Sequence, residues 1–135
     1  ATVRRHVLTR ASGIGEARFA APVLPSAIAK DSSASVRVHV GEGVSGRKCR
    51  VSVGFRRNVK CDLWINCVKV PLLPAETPFT APLPKNLKPF WVQADLPDGV
   101  LHDGWNAVEI WNLSEPAITS KDICWVEIRV NGAEK

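Results

Sequence analysis

The sequence has no tyrosine and no methionine. It also has no apolar stretch near the roughly 20 residues that a membrane-spanning helix requires, so no span of that kind is expected. No two cysteines stand two residues apart, which argues against a structural zinc site. The basic residues never reach a run of five: their densest groups are Arg4 and Arg5; Arg47, Lys48 and Arg50; Arg56, Arg57 and Lys60; and Lys85 and Lys88. Such scatter lacks the basic-aromatic stripe of a nucleic-acid binder. None of the three histidines, His6, His39 and His102, sits in a G-x-S-x-G or H-E-x-x-H frame. Gly41-Glu42-Gly43-Val44-Ser45-Gly46 has the outline of a phosphate loop, but no helix pattern follows it, so it reads as a glycine-rich hairpin.

What remains is an ordinary globular composition. The chain has 135 residues, 45% hydrophobic and 23% charged, enough for a single domain with its own core. An alanine at position 1 and the lack of a visible signal peptide read as a processed or excised chain. The net charge of +5 favours acidic partners. Five tryptophans replace the missing tyrosines, which puts weight on where they fall. The four cysteines, Cys49, Cys61, Cys67 and Cys124, allow three pairings in principle. Strand parity places Cys49, Cys61 and Cys124 inward, and they read as buried free thiols.

Period-two alternation recurs along the chain. It predicts strands at 36–40, 49–55, 61–65, 68–72, 91–96, 107–112 and 123–130, with a shorter one at 17–20. Ser26 to Lys30 reads as a helical turn, residues 1–17 as an N-terminal extension, and 71–89, with Pro71, Pro74, Pro78, Pro82, Pro84 and Pro89, as a long loop. About eight short strands bounded by Gly, Pro and Asn, with no convincing long helix, predict an all-β antiparallel sandwich.

Three segments then carry a resemblance: Asp62-Leu63-Trp64-Ile65-Asn66, Trp91-Val92-Gln93-Ala94-Asp95-Leu96, and Leu101-His102-Asp103-Gly104-Trp105-Asn106-Ala107-Val108-Glu109-Ile110. Together, over about residues 18–131, they resemble the galactose-binding-like jelly-roll domains attached to microbial glycoside hydrolases. Gly104 suits a positive φ and Asn106 suits a side chain that bonds its own turn, so both are read as structural. Cys67 departs from the family by standing where a glycine usually follows Asn66. Either the turn is of a different type or Cys67 is held by a partner. The resemblance implies a secreted, extracellular or periplasmic carbohydrate-binding or accessory domain. No cofactor is required on this reading. A structural calcium is the ion the resemblance allows, with Asp95, Asp98 and Asp103 candidates by type only.

The site reading rests on the tryptophans. Trp64, Trp91, Trp111 and Trp125 all fall on the strand face opposite the aliphatic one. An indole stacks on the apolar face of a sugar ring, while Asn, Gln, Glu, Arg and His bond its hydroxyls. The resemblance groups Trp64, Trp111 and Glu109 on one sheet, and Trp91, Gln93, Trp125 and His39 on the other. One of these faces is open to burial under the proline-rich loop or the N-terminal segment. A second candidate site is a loop end with Trp105, His102, Arg56 and Arg57. Glu109 and Glu127 form an outward carboxylate pair by parity, but among thirteen acidic residues such a pair arises easily by chance. The expectation is therefore a non-catalytic module that holds a polysaccharide, an acidic one favoured by the Arg and Lys, near an appended catalytic domain. The alternative is an accessory domain that packs on a catalytic domain or on a second copy without binding glycan. Neither nucleic acid nor a membrane is an expected partner.

Overall fold

The computed structural model describes residues 4–8 (backbone only), 27–79, 85–119 and 121–131. Ten strands are formed among them: β1 (Arg4–Leu8), β2 (Ala27–Ile28), β3 (Ser33–His39), β4 (Cys49–Phe55), β5 (Cys61–Ile65), β6 (Val68–Val70), β7 (Phe90–Leu96), β8 (Trp105–Asn112), β9 (Ile118–Thr119) and β10 (Ile123–Val130). Eight of them make two four-stranded sheets, ordered β1-β10-β4-β7 and β3-β8-β5-β6, and β2 pairs with β9. Every pairing is antiparallel. With the β2–β9 pair set aside, this strand order is that of a jelly-roll sandwich. The expected all-β sandwich is thus the fold observed.

Alternation builds the core. Val36, Val38, Leu63, Ile65, Val108 and Ile110 of one sheet meet Val51, Val53, Phe55, Val126, Ile128 and Val130 of the other, each almost wholly shielded from water. Each such side chain contributes about 1.5–3 kcal/mol through burial. Near β10's start a bulge lies between Ile123 and Trp125. It puts Ile123 opposite Phe55 in the core and leaves Cys124 buried but outside the core cluster, with its thiol on the Gly54 carbonyl at 3.5 Å. Parity alone placed Cys124 with Val126; the extra residue breaks that parity.

Three further expectations are corrected. The N-terminal stretch read as an extension contains β1, whose Arg4-Arg5-His6-Val7-Leu8 sequence shows no alternation, because its partner β10 supplies the order. The helical turn at 26–30 is β2 followed by a turn, held from afar: Asn112 Nδ2 donates to the Ile28 carbonyl at 2.9 Å, and the Asp31 N–H donates to the Asn112 carbonyl at 2.8 Å. Trp105 opens β8 rather than lying in the turn before it. The strand expected at 17–20 lies outside the described residues.

The Asn66–Cys67 turn joins β5 to β6 with Ile65 opposite Val68, and both turn residues have positive φ, 49° and 69°. That is the type I′ geometry usually served by Asn-Gly. So the turn type is the usual one, and Cys67, an exposed free thiol, bears the left-handed strain a glycine would avoid. Cys67→Gly is expected to raise stability by about 0.5–1 kcal/mol, part of the gain being offset by glycine's unfolded-state entropy. Urea unfolding checks this, and an unchanged or lower midpoint would refute it.

Candidate functional site

The outer face of the β3-β8-β5-β6 sheet collects its polar and aromatic side chains in register rows. Ser33, Trp111 and Asp62 form one row; Ser35, Glu109, Trp64 and Lys69 the next; His39 and Trp105 close the far end. The Trp64 and Trp111 rings are 6.2 Å apart and inclined at 42°. Diagonal neighbours on antiparallel strands reach one another in this way, and long aromatic side chains fill the gap. Glu109 stands beside Trp64 at the same register level. The Lys69 ammonium holds the Asp62 carboxylate at 3.4 Å. The indole nitrogen of Trp111 is buried without a hydrogen-bond partner among the described residues.

At the other end of this face Trp105 is 38% exposed. His39 meets it edge-on at 5.1 Å, and the Arg37 guanidinium lies 5.7 Å from its ring. His39 Nδ1 accepts the Gly41 N–H at 3.2 Å, which places the proton of the neutral ring on Nε2. His39 therefore belongs with Trp64, Trp111 and Glu109. It does not stand with Trp91 and Trp125, because β3 pairs with β8 and not with a strand of the opposite sheet.

The outer face of β1-β10-β4-β7 is different. Trp125, Gln93, Ser52 and Glu127 are buried there. Gln93 Nε2 donates to Ser52 Oγ at 3.0 Å, and Trp125 Nε1 to Glu127 Oε1 at 3.1 Å. Trp91 lies between Gly54 and the Phe79 ring, 4.3 Å away, and the Leu73 N–H donates to the Gln93 carbonyl at 2.8 Å. The described part of the proline-rich segment thus runs against β7, with Phe79 packed on Trp91. This face is a second packed layer, with no open platform at these residues. Glu127 lies within it, while Glu109 lies on the outer face of the opposite sheet, so the two carboxylates share no cleft.

The loop-end group divides. His102 sits in the turn leading to Trp105, its Nδ1 2.9 Å from the Asp103 carbonyl oxygen. Arg56 and Arg57 follow β4 at the other end of the sandwich. There Arg57 pairs with Asp122 at 3.3 Å and donates to the Ala117 carbonyl at 3.0 Å, while the Arg56 N–H donates to the Asp122 carbonyl at 2.7 Å. Arg57 therefore fastens loops together, far from Trp105.

The glycine-rich loop is pinned to the turn by bonds from the Gly104 N–H to Gly41 O and from the Val40 N–H to Gly104 O, with Asp103 accepting the Val44 N–H at 3.1 Å. That bond occupies one of the three aspartates considered for calcium. Arg50 occupies Asp95 at 2.7 Å. Among the described residues no three His, Cys, Asp or Glu gather as a metal site. The four cysteines form no disulfide. Burial, with Asp62 adjacent, pushes the Cys61 thiol up to about 12.

Sequence reasoning missed Ser35, Arg37 and Lys69 on the tryptophan face. Ser35 and Arg37 alternate with Val36 and Val38, so their outward direction was readable; that they share a face with Trp64 and Trp105 depends on strand order.

No protein-family model matches the chain, and no curated protein matches it. Solved structures do. The chain superposes with a TM-score of 0.59 at 16% identity on a β-porphyranase of glycoside hydrolase family 86 from the human gut bacterium Bacteroides plebeius, over 96% of this chain and 20% of that one. It superposes with a TM-score of 0.54 at 12% identity on BuGH86 in complex with neoagarooctaose, over 99% of this chain and 20% of that one. The chain thus spans about a fifth of these proteins. At such identities the likeness is one of fold: a sandwich of this kind forms a part of longer glycoside hydrolases.

Proposed function

We propose that this domain is a non-catalytic carbohydrate-binding module of a secreted carbohydrate-active enzyme, and that it binds glycan on the outer face of β3-β8-β5-β6. The observation that carries this reading is the Trp64–Trp111 pair beside Glu109 on an outward sheet face. Two inclined indoles offer apolar surface to the faces of successive sugar rings, while Glu109, Ser35 and Lys69 in the adjoining row offer acceptors and donors to hydroxyl groups. Trp105 with His39 and Arg37 extends the same face by one more aromatic position. The fold likeness to parts of glycoside hydrolases supports the assignment, with the catalytic domain of the same polypeptide as the covalent partner. Separation of Glu109 from the buried Glu127 supports a role without catalysis. The reading calls for no cofactor, no nucleic acid and no membrane.

Affinity gels and calorimetry on neutral, uronic and sulfated polysaccharides, with and without calcium, test the proposal. Trp64→Ala and Trp111→Ala are each expected to weaken binding roughly tenfold or more, as truncated aromatic anchors do, with the fold kept. Folded protein that binds no glycan, or variants that bind like the parent, would sink it. The same face would then be the docking surface for a neighbouring domain, detectable as tighter association with the catalytic domain that these two substitutions weaken.

A further inference from the structure

A different feature lies on the opposite sheet. The register of β1, β10, β4 and β7 puts Arg5 opposite Arg129, Arg129 opposite Arg50, and Arg50 opposite Asp95. Arg129 and Arg50 thus stand directly opposite one another, an arrangement of like charges that antiparallel pairing disfavours unless something of opposite charge intervenes. Asp95 answers Arg50, its Oδ1 accepting from Arg50 Nε at 2.7 Å. Among the described residues nothing answers Arg129 in this way: its Nε is buried and has no hydrogen-bond partner there. A buried guanidinium N–H without an acceptor is costly, and an oxyanion is the group that satisfies it best. Beside the row opens a cleft of about 470 Å³ lined by Lys48, Arg50, Asp95, Asp98, Arg129 and Asn131. Its volume falls in the range of small-molecule sites.

We propose that this cleft is a second binding site, separate from the tryptophan face, and that it takes the charged substituent of an acidic glycan, a sulfate ester or a uronic carboxylate. Arg129 supplies the orphan N–H, and Lys48 and Arg50 add positive charge around the anion. Asp95 aligns Arg50, and Asp98 is placed to accept from a sugar hydroxyl. The anion site rests on Arg129, Arg50 and the cleft beside them, whereas its assignment to a glycan rests on the carbohydrate reading above. The two sites divide the work: the tryptophans grip the sugar rings of any matching chain, and the basic cleft selects for charge.

The test uses the 135-residue chain labelled with ¹⁵N. Titration with sodium sulfate, at ionic strength held constant with chloride, is expected to shift the Arg129 Nε–H resonance saturably. Arg129→Gln is expected to weaken sulfate binding about tenfold, as loss of a charge-assisted bond does. Arg129→Lys keeps the charge without the planar donor and should fall between. Thermal unfolding verifies that both variants fold. A sulfated galactan oligosaccharide, an oligogalacturonide and a neutral agaro-oligosaccharide then separate the sources. Preference for the sulfated or the uronic ligand, lost in Arg129→Gln and retained in Trp64→Ala, supports the site and names its anion. An unsaturable sulfate response, or equal affinity in Arg129→Gln, overturns it. Inorganic sulfate bound while acidic glycans are ignored overturns the glycan assignment. Neutral glycan bound through Trp64, with no effect at Arg129, leaves the tryptophan reading standing and removes this one.

Discussion

Asn106→Ala is expected to destabilise the domain by about 3 kcal/mol and to lower its melting temperature by roughly 10 °C. Asn106 is buried at the start of β8, with every polar atom of its side chain engaged. Its Oδ1 accepts the His102 N–H at 3.0 Å and Asn66 Nδ2 at 2.7 Å. Its Nδ2 donates to the His102 carbonyl at 2.8 Å and to the Gly104 carbonyl at 3.2 Å. Asn66 in turn donates to the Val100 carbonyl and accepts the Ala107 N–H, both at 2.8 Å. The two amides therefore tie three things together: the 98–104 turn, the first residues of β8 and the β5–β6 hairpin. Gly104, at φ 84°, lets the chain reverse sharply enough for Asn106 to bond residues two and four positions back. Alanine would leave the His102 N–H and C=O without their partner in a partly buried turn, each at the cost of an unmet group. Denaturant titration of Asn106→Ala, Asn66→Ala and the double variant measures the network. The double variant should lose clearly less than the two single losses added together, because either substitution already breaks the shared bond. A loss below about 1 kcal/mol for Asn106→Ala, or strict additivity, would show that the turn holds without the amides.

How much of this was legible in the sequence varies by residue. Alternation marked β4, β5, β7, β8 and β10 closely, because each strand has one face in a continuous core and the pattern repeats that fact. The Leu101 to Ile110 motif marked Gly104 and Asn106 as turn-forming, since their chemistry is local. Alternation does not say what covers the other face. Trp64 stands between inward Leu63 and Ile65 and Trp125 next to inward Val126, yet Trp64 is half-buried on the outer side of its sheet and Trp125 is buried. The difference lies in which segments of chain cross each face, and no period of two encodes that. His39 went to the wrong sheet for a related reason, as pairing partners are chosen by topology. β2 and β9, two residues each, have no pattern to read, and their existence depends on Asn112 reaching Ile28 across much of the chain. The arginine row was equally hidden: Arg5, Arg50 and Arg129 are remote in sequence and become neighbours only through register.

Gly54→Ala is expected to cost about 2 kcal/mol, although a strand normally gains from that change. An ideal Cβ at position 54 would stand 2.7 Å from Trp91 Cζ3, 3.1 Å from Cη2 and 3.2 Å from Pro89 Cβ. The ring could swing aside if it were free, but Phe79 packs on it at 4.3 Å. The register explains why a glycine stands here. Gly54 lies opposite Trp125 on one side and Trp91 on the other, so the central residue of the row must be small if the covered face is to close over two indoles. Two outcomes compete. Reduced unfolded-state entropy predicts a gain of about 0.5–1 kcal/mol, and overpacking predicts a loss of about 1–3 kcal/mol. The sign of the measured change decides between them. Trp91→Ala provides the control: with the indole removed, Gly54→Ala should cost little or turn favourable, a coupling read by a double-mutant cycle in urea. Gly54→Ala in the otherwise unchanged chain should also alter the tryptophan emission spectrum, because Trp91 must move out from under Phe79. Stability that rises on Gly54→Ala, or a cost that persists in the Trp91→Ala background, would mean that the second layer is looser than its contacts imply.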